Sequence, residues 1–399
     1  MDTAALITQV VDDHADELVL LRRDLHAHPE RSWEEQRTTR IGAHRLDRLG
    51  WKVTPMSRSG LVAELGPEPG PGVRTIALRA DMDALPVRDE TADPWSSTVE
   101  GVAHACGHDV HVTCLLGAAH ALTEMHRNGM LGGRVRILLQ PAEEMMPGGA
   151  LHLMNQGALD GVDQIFALHA DPTLDVGQVG LRAGPITSAS DQLTVRVSGP
   201  GGHTSRPHRT ADLTFALATL ATELPAVLSR RLDPRAGASV VWGMIRAGSA
   251  SNVIPQEGLL SGTVRILDAV AWAEAEPILR AAAADIVGPY DVEAVVEYQR
   301  GVPPVVNDDA SHQVLVRAVI DVLGPTGQVA THQSLGGEDF GWYLERVPGA
   351  MFRLGTRTPG GPTYDLHQGN LRVDDGAVPV GAKVMAAAAA EALASDSNR

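Results

Sequence analysis

The stretch GRVRILLQPAEE, residues 133–144, is an apolar, β-rich segment that ends at two adjacent glutamates, Glu143 and Glu144. Two further segments share this pattern: residues 73–86 lead into a pair of aspartates, and residues 163–172 lead into a histidine. Apolar residues occupy both faces of these segments or nearly so, as in parallel strands covered by helices. Because open α/β sheets bind ligands at the carboxyl ends of their strands, we expect these acids and the imidazole to converge there.

The composition limits which classes of protein and of binding partner fit the chain. The chain has 399 residues, of which 44% are hydrophobic and 21% charged, as in soluble globular proteins. This length exceeds the usual size of one hydrophobic core and favours two domains. The formal net charge of −16 argues against binding to nucleic acid or to an anionic membrane. A small-molecule substrate is therefore the expected partner.

The sequence also predicts where the protein works. Residues 1–21 lack the basic and apolar regions of an export signal, and no apolar run approaches the roughly 18 residues that a membrane span needs. The two cysteines are Cys106 and Cys114. A helix between them would hold their Cα atoms about 12 Å apart, which is beyond disulfide reach. A reduced, cytoplasmic protein without a membrane partner is expected.

A different pattern occupies residues 187–298. Strand-like and helix-like segments follow one another there in the order βαββαβ, as in a ferredoxin-like unit. After this insertion the α/β pattern resumes and contributes another histidine, in DLHQG. We therefore predict an α/β fold with a discontinuous first domain, residues 1–186 and 299–399, whose mostly parallel sheet is covered by helices. The inserted domain spans 187–298.

The segment around Cys106 and His108 is rich in metal donors. These two side chains cannot close a tetrahedral zinc site, and the chain has no repeated C-x-x-C pair. Glu144, His169 and His367 supply three more donors, the first two at predicted strand ends. Five donors of these kinds suit two cations such as Mn²⁺, Zn²⁺, Co²⁺ or Ni²⁺ better than one, with the thiolate as a bridge.

Nine short motifs follow one another along nearly the whole chain: DLHAHPE, ADMDALP, HACGHDVH, QPAEE, ALHADP, GPGGHTSRPH, SNVIP, GGEDF and LHQG. In order and spacing they resemble the dinuclear-metal aminoacylase and carboxypeptidase family of amidohydrolases. Within this family the chain most resembles the branch of the hippurate hydrolases, auxin-conjugate hydrolases and N-acetyl-diaminopimelate deacetylases. The resemblance implies that the inserted domain is a lid that commonly dimerises, and hence a homodimer or a higher homo-oligomer.

The resemblance also implies that the discontinuous first domain is a metal-binding catalytic domain, and it implies roles for single residues there. The five donors named above become the ligands of two divalent ions. Glu143 becomes the general base, which takes a proton from the attacking water and returns it to the leaving nitrogen. Asp83 matches the family's orienting aspartate and is expected to fix a liganding histidine. Glu338, in GGEDF, is expected near the site.

The lid contributes the remaining predicted site residues. The position matched by His203 is carried in the family by the lid of the dimer partner and donates to the carbonyl oxygen as it becomes an oxyanion. Asn252 and Arg265 match positions that hold the substrate's carboxylate, for which the guanidinium fork is suited.

The predicted function is hydrolysis of the amide bond of N-acyl amino acids, either hippurate-like or N-acetylated. One alternative is an N-carbamoyl-amino-acid or dipeptide hydrolase of the same fold. Another is a non-catalytic, metal-stabilised dimer that binds acyl-amino acids. Gln368, Gly369 and Asn370 depart from the serine, proline and aromatic residue of many relatives, so the wall beside His367 is expected to differ.

Overall fold

The computed structural model describes residues 2–394. Met1 and residues 395–399, which the predicted catalytic domain includes, lie outside them. The helices are α1 (Thr3–Asp13), α2 (Ala15–Ala27), α3 (Gln36–Arg48), α4 (His108–Arg127), α5 (Gly149–Met154), α6 (Leu213–Arg231), α7 (Ala269–Val287), α8 (Asp309–Leu323), α9 (Gly341–Leu344) and α10 (Ala377–Ala394). The strands are β1 (Lys52–Pro55), β2 (Leu61–Leu65), β3 (Thr75–Asp81), β4 (Arg134–Gln140), β5 (Gln164–Asp175), β6 (Val179–Leu181), β7 (Gly184–Pro185), β8 (Ala189–Ser198), β9 (Gly202–His203), β10 (Ser239–Ala247), β11 (Val253–Ile254), β12 (Glu257–Ile266), β13 (Glu293–Val302), β14 (Val306–Asn307), β15 (Gln328–Ala330) and β16 (Gly349–Arg357).

The described residues form two compact units. The first unit holds the residues up to Gly184, Asn307–His332 and those from Trp342 onward. The second unit holds Pro185–Val306 and Gln333–Gly341. The limits at 187 and 298 stay a prediction about domain boundaries. The short return of the chain to the second unit at Gln333–Gly341 has no counterpart in the sequence pattern.

The first unit is built on an eight-stranded sheet in the order β1-β2-β4-β3-β5-β16-β6-β15. Its four central strands, β4, β3, β5 and β16, run parallel, and the strands that flank them, β2 and β6, run antiparallel to their central neighbours. Every residue of β3 and β4 is buried, as is typical of strands covered on both faces. The predicted α/β class with a covered sheet is therefore confirmed.

Helix α4, in the first unit, is almost entirely buried. It begins directly after Gly107, whose φ of 85° turns the chain from Cys106 into the helix. A Cβ on Gly107 would lie 2.9 Å from the Cβ of Ala170, so both the backbone conformation and the space require glycine. The helix assumed between Cys106 and Cys114 thus begins only after Cys106. Both cysteines are free and buried.

Helix α10 is the exception to the expectation that no apolar run is long enough to span a membrane. Its 18 residues have the length and apolar composition of a possible span. However, 67% of this helix is buried inside the protein, where it packs against α4 and α8. Burial of this kind is typical of a core helix of a soluble protein, so the finding is weak evidence for a span.

The second unit contains a four-stranded antiparallel sheet in the order β10-β12-β8-β13, with α6 and α7 packed against it. Asp212 and Asp268 cap the two helices by accepting from backbone amides at 3.1 and 2.8 Å. The chain order β8, α6, β10, β12, α7, β13 reproduces the predicted βαββαβ pattern. The ferredoxin-like unit is therefore confirmed, with the short pair β9 and β11 added to it.

Candidate metal centre

The carboxyl ends of β3 and β4 lie side by side in the first unit. The two strands are parallel, and Asp81 at the end of β3 is paired with Gln140 at the end of β4. Asp83 follows β3 after one further residue, and Glu143 and Glu144 follow β4 after a short turn. The acids that the sequence placed after these strands thus emerge at one edge of the sheet, as predicted.

His169 reaches the site from within a strand. The sequence pattern ended the third strand at His169, but β5 continues to Asp175, so this prediction is wrong. The reason is the neighbouring strand β16, which pairs with β5 past this point and places Arg353 opposite His169. His169, in the middle of a strand, therefore lies at the same edge of the sheet as the acids that follow β3 and β4.

Two groups of three donors share the thiol of Cys106. One group joins Cys106 with His108 and His169, and the other joins it with Glu144 and His367. Within each group the potential ligand atoms lie within 4.8 Å of one another. Sγ of Cys106 is 3.6 Å from Nε2 of His169, and Oε1 of Glu144 is 3.2 Å from Nε2 of His367. The structure thus brings together all five predicted ligands in two groups that meet at one sulfur.

Hydrogen bonds orient two of the imidazoles for ligation. Nδ1 of His108 donates to the carbonyl oxygen of Asp83 at 2.8 Å, and Nδ1 of His169 donates to that of Ala170 at 2.8 Å. With the proton fixed on Nδ1, each ring presents the lone pair of Nε2. A histidine that ligates a metal almost always donates its other ring N–H in this way.

The donor atoms fit divalent cations. Nε2 of His108 is one of the buried polar atoms that have no hydrogen-bond partner among the described residues. A buried polar atom without a partner costs free energy, so a native site normally supplies one. Thiolate, imidazole and carboxylate together suit Zn²⁺, Mn²⁺, Co²⁺ and Ni²⁺. A cation held by the group of Cys106, His108 and His169 would supply a partner for Nε2 of His108.

Asp83 connects the loop after β3 to the loop after β4. Its two carboxylate oxygens accept from the backbone amides of Glu143 and Glu144, each at 3.0 Å. The hydroxyl of Ser32 donates to the same carboxylate at 2.6 Å, and Nδ1 of His108 lies 3.4 Å from it. Asp83 therefore supports both a candidate ligand and the two adjacent glutamates, whereas sequence reasoning expected only the histidine contact and missed Ser32.

The two glutamates occupy different places in the site. Their carboxylates lie 3.9 and 4.0 Å from Nε2 of His108, for Glu143 and Glu144 respectively. Glu144 also belongs to one of the two groups that share Cys106, and among the described residues Glu143 belongs to neither. The carboxylate of Glu143 thus lies beside the candidate ligands, where a base that serves a water at this site has to be.

The electrostatics of the site reflect many charges buried together. Burial, together with the Glu144 carboxylate, raises the pKa of the Cys106 thiol to about 12. Burial alone would also raise the pKa of Asp81, but the Arg79 guanidinium and the two nearby imidazoles hold it well below its usual range. Burial would lower the pKa of His108, but Asp81 raises it well above the usual value. Burial lowers the pKa of His169 well below its usual value, so the shifts in this site do not all favour the same charge. Coordination to a metal deprotonates a thiol outright.

His111 and Asp81 are site residues that sequence reasoning did not assign. Nδ1 of His111 lies 2.5 Å from a carboxylate oxygen of Asp81, and its Nε2 accepts from the backbone amide of Ala170 at 2.8 Å. Both ring nitrogens are therefore occupied, and His111 ties α4 to β3 and to β5 beside His169. The available signal was the spacing of His108 and His111, which places both on neighbouring turns of one helix face.

The second unit holds His203 and Asn252 on one short ribbon. Strand β9 ends at His203, which pairs with Val253 of β11, and the amide of Thr204 donates to the carbonyl oxygen of Asn252 at 3.3 Å. Both side chains are exposed. Nδ1 of His203 accepts from the amide of Ser205 at 3.1 Å, which leaves the proton on Nε2. His203 can therefore donate a hydrogen bond from Nε2.

Arg265 and Glu338 are placed elsewhere in the second unit. Arg265 lies on β12, and its Nη1 donates to the carbonyl oxygen of Leu335 at 3.0 Å. Burial lowers the pKa of this guanidinium. Glu338 is buried and accepts from the amide of Phe340 at 2.9 Å. A role near the site stays a prediction for Glu338, as does carboxylate binding for Arg265.

Comparison with known proteins places the chain in a family. The sequence model described as "Peptidase family M20/M25/M40" matches residues 77–391. The N-acetyl-L-cysteine deacetylase of Bacillus subtilis (strain 168) is 36% identical over 372 residues, which cover 91% of this chain and 85% of that protein. A protein of Rhodococcus jostii (strain RHA1) with the provisional name glutamate–cysteine ligase 2-3 is 47% identical over 97% of this chain. This chain spans only 48% of that relative.

A solved structure of a dinuclear metal-binding protein shares the fold of this chain. The crystal structure of the Bacillus subtilis YXEP protein, described as a dinuclear metal-binding peptidase of the M20 family, has a TM-score of 0.83 to this chain. The two chains are 30% identical, and the match covers 96% of this chain and 99% of the other. The resemblance inferred from the sequence motifs is thereby confirmed. The chain belongs to peptidase family M20/M25/M40, and it is a metal-dependent amidohydrolase.

Proposed function

We propose that the protein hydrolyses the amide bond of N-acyl amino acids, releasing a carboxylic acid and a free amino acid. The observation that carries this proposal is the carboxylate of Glu143 beside two donor groups that share Cys106. The similarity to an N-acetyl-L-cysteine deacetylase of Bacillus subtilis supports this substrate class. A protein that only binds acyl-amino acids would not need a carboxylate in this position.

In this proposal Glu143 is the general base and the later general acid. Its carboxylate takes a proton from the attacking water and delivers it to the nitrogen that leaves. The hydrogen bond from its backbone amide to Asp83 holds the residue in place at 3.0 Å. Divalent cations bound by Cys106, His108, Glu144, His169 and His367 would polarise the amide carbonyl and make water more acidic. Their number is proposed as two per subunit, and Mn²⁺, Zn²⁺, Co²⁺ and Ni²⁺ all suit the donors.

Residues of the second unit are proposed to bind the substrate. The Nε2 proton of His203 would stabilise the carbonyl oxygen as negative charge develops on it. Asn252 and Arg265 would hold the carboxylate of the amino acid. Nη1 of Arg265 donates to Leu335, and a guanidinium carries five N–H donors, so others remain for a carboxylate.

We further propose a cytoplasmic homodimer in which His203 serves the site of the partner subunit. The second unit has an edge strand, β10, on which Val241 and Ile245 are 61% and 58% exposed. Edge strands with exposed apolar residues are templates for pairing with another chain. Free, buried thiols at Cys106 and Cys114 support a reducing compartment.

A substrate panel tests the proposed function. Release of free amine would be measured for N-acetyl, N-benzoyl, N-carbamoyl and long-chain N-acyl amino acids and for dipeptides, with each of the four cations added in turn. N-acetylcysteine should be included first, because cysteine occurs in the names of both relatives described above. We expect turnover of N-acyl amino acids. Hydrolysis of N-carbamoyl substrates or dipeptides alone, or tight binding without turnover, would contradict the proposal.

A further inference from the structure

A buried glutamate outside the candidate metal centre contacts the loop that carries Glu143 and Glu144. Glu35 precedes α3 and is fully buried. Oε1 of Glu35 accepts from the backbone amides of Trp33 at 2.9 Å and Ala142 at 2.8 Å. Its Oε2 accepts from the hydroxyl of Ser59 at 2.7 Å. One side chain thus joins the chain before α3, the turn before β2 and the loop after β4.

Trp33 and Ala142, whose backbone amides donate hydrogen bonds to Oε1 of Glu35, both have an unusual backbone conformation. φ is 71° for Trp33 and 53° for Ala142, in the left-handed region that non-glycine residues rarely adopt. Such conformations persist only where the surrounding structure fixes them. The hydrogen bonds from these two amides to one buried oxygen are such a constraint. Removal of that oxygen would leave both residues free to return to ordinary φ values.

The conformation of Ala142 determines where the next two side chains point. Ala142 directly precedes Glu143, and its carbonyl oxygen accepts from the amide of Gly149 at 3.0 Å, which closes the loop. A Cβ on Gly149 would lie 1.8 Å from the carbonyl oxygen of Pro141, so the loop is tightly packed against itself. A change of φ at Ala142 would redirect both glutamates relative to the other donors.

We propose that Glu35 is a positioning residue, which holds Ala142 in the left-handed conformation and thereby directs Glu143 and Glu144 into the site. The inference rests on the proposed function, because it assigns the two glutamates their roles as base and ligand. The hydrogen bonds of the Glu35 side chain run to Trp33, Ser59 and Ala142, and not to the side chains of Glu143 and Glu144. Its effect passes through one backbone amide.

The test compares substitutions that remove or keep the acceptor oxygen. Glu35→Ala removes this oxygen. Glu35→Leu also removes it but fills most of the volume of the glutamate side chain, so it can still be measured if Glu35→Ala does not fold. Glu35→Gln keeps an oxygen for the two amides and turns an N–H towards Ser59, whose hydroxyl can accept it. Glu34→Gln is the matched control, since Glu34 is the exposed neighbour in sequence.

We expect Glu35→Ala and Glu35→Leu to lower kcat by roughly 10²-fold at temperatures well below their Tm, with KM little changed. Titration with Zn²⁺ alone should show affinity lowered by roughly 10–100-fold, as for other residues that orient ligands. Glu35→Gln and Glu34→Gln should behave like the parent. Adding Ala142→Gly to Glu35→Ala should restore part of kcat, because glycine adopts positive φ at no steric cost.

Two results would overturn the inference. One is parent-like kcat and Zn²⁺ affinity in folded Glu35→Ala or Glu35→Leu, whatever their Tm, because a purely structural glutamate would change only stability. The other is a loss of kcat and Zn²⁺ affinity in Glu35→Gln as large as that in Glu35→Ala. The negative charge of Glu35, and not its acceptor oxygen, would then be what matters. A parent protein without hydrolytic activity would count against the proposed function, and the Zn²⁺ titration would still decide the role of Glu35.

Discussion

Glu143→Gln is expected to lower the kcat for an N-acyl amino acid by about 10²–10⁴-fold, the usual contribution of a general base. Glutamine has the volume of glutamate but cannot accept the proton of the attacking water. The hydrogen bond between the backbone amide of residue 143 and Asp83 does not depend on the side chain, so the fold and the candidate ligands should stay in place. Steady-state kinetics on a protein of measured metal content provide the check.

Glu144→Gln is the contrasting variant for this prediction. The side chain of Glu144 belongs to one of the two donor groups that share Cys106. The substitution should therefore lower the metal content of the protein as well as its turnover. If Glu143→Gln hydrolyses the substrate at nearly the parent rate, Glu143 is not the base. If it loses metal to the same extent as Glu144→Gln, the assignment of the two roles is wrong.

His203→Ala should reduce kcat by about 10²–10³-fold, the loss found when one donor to an oxyanion is removed. The side chain is exposed, so little stability should be lost. If His203 serves the site of the partner subunit, mixing His203→Ala with Glu143→Gln should recover activity. Each mixed dimer then contains one site that has its own Glu143 and receives the partner's His203.

The measurement is activity against the mixing ratio, with exchange of subunits verified by mass. His208→Ala is a suitable control, because His208 is exposed in the same segment of the second unit. It should keep parent activity. Verified mixed dimers without recovery would show that His203 acts within its own chain or not at all.

Patterns within single segments predict much of the fold and of the site. Continuous apolar runs identify β3 and β4 because central parallel strands are buried on both faces. The βαββαβ order identifies the second unit because each element has its own period of apolar residues. Glu143 and Glu144 could be predicted to lie at the candidate metal centre because the carboxyl ends of parallel strands share one edge.

Other features depend on contacts between distant parts of the chain. The extent of β5 beyond His169 is set by β16, which lies far along the sequence. The contact between Glu35 and Ala142 joins residues separated by 107 positions. Nothing in the residues around Glu35 indicates that its oxygen meets a left-handed residue, because only the folded sheet brings the two together. Supporting residues of this kind are therefore found from the structure.

The central claim is that two ions at the candidate metal centre share the thiolate of Cys106. The most direct test is the number of metal ions bound per subunit in cysteine variants. We expect elemental analysis and titration to find two divalent ions per subunit in the parent protein, with activity lost on chelation and restored by one of the four cations. Cys106→Ala should weaken binding of both ions, because its sulfur belongs to both donor groups. Cys114→Ala should keep both ions, since the Sγ of Cys114 contacts the carbonyl oxygen of Val378 at 3.4 Å in the buried core. Two ions bound with parent affinity in Cys106→Ala, or full activity in metal-free parent protein, would contradict the account.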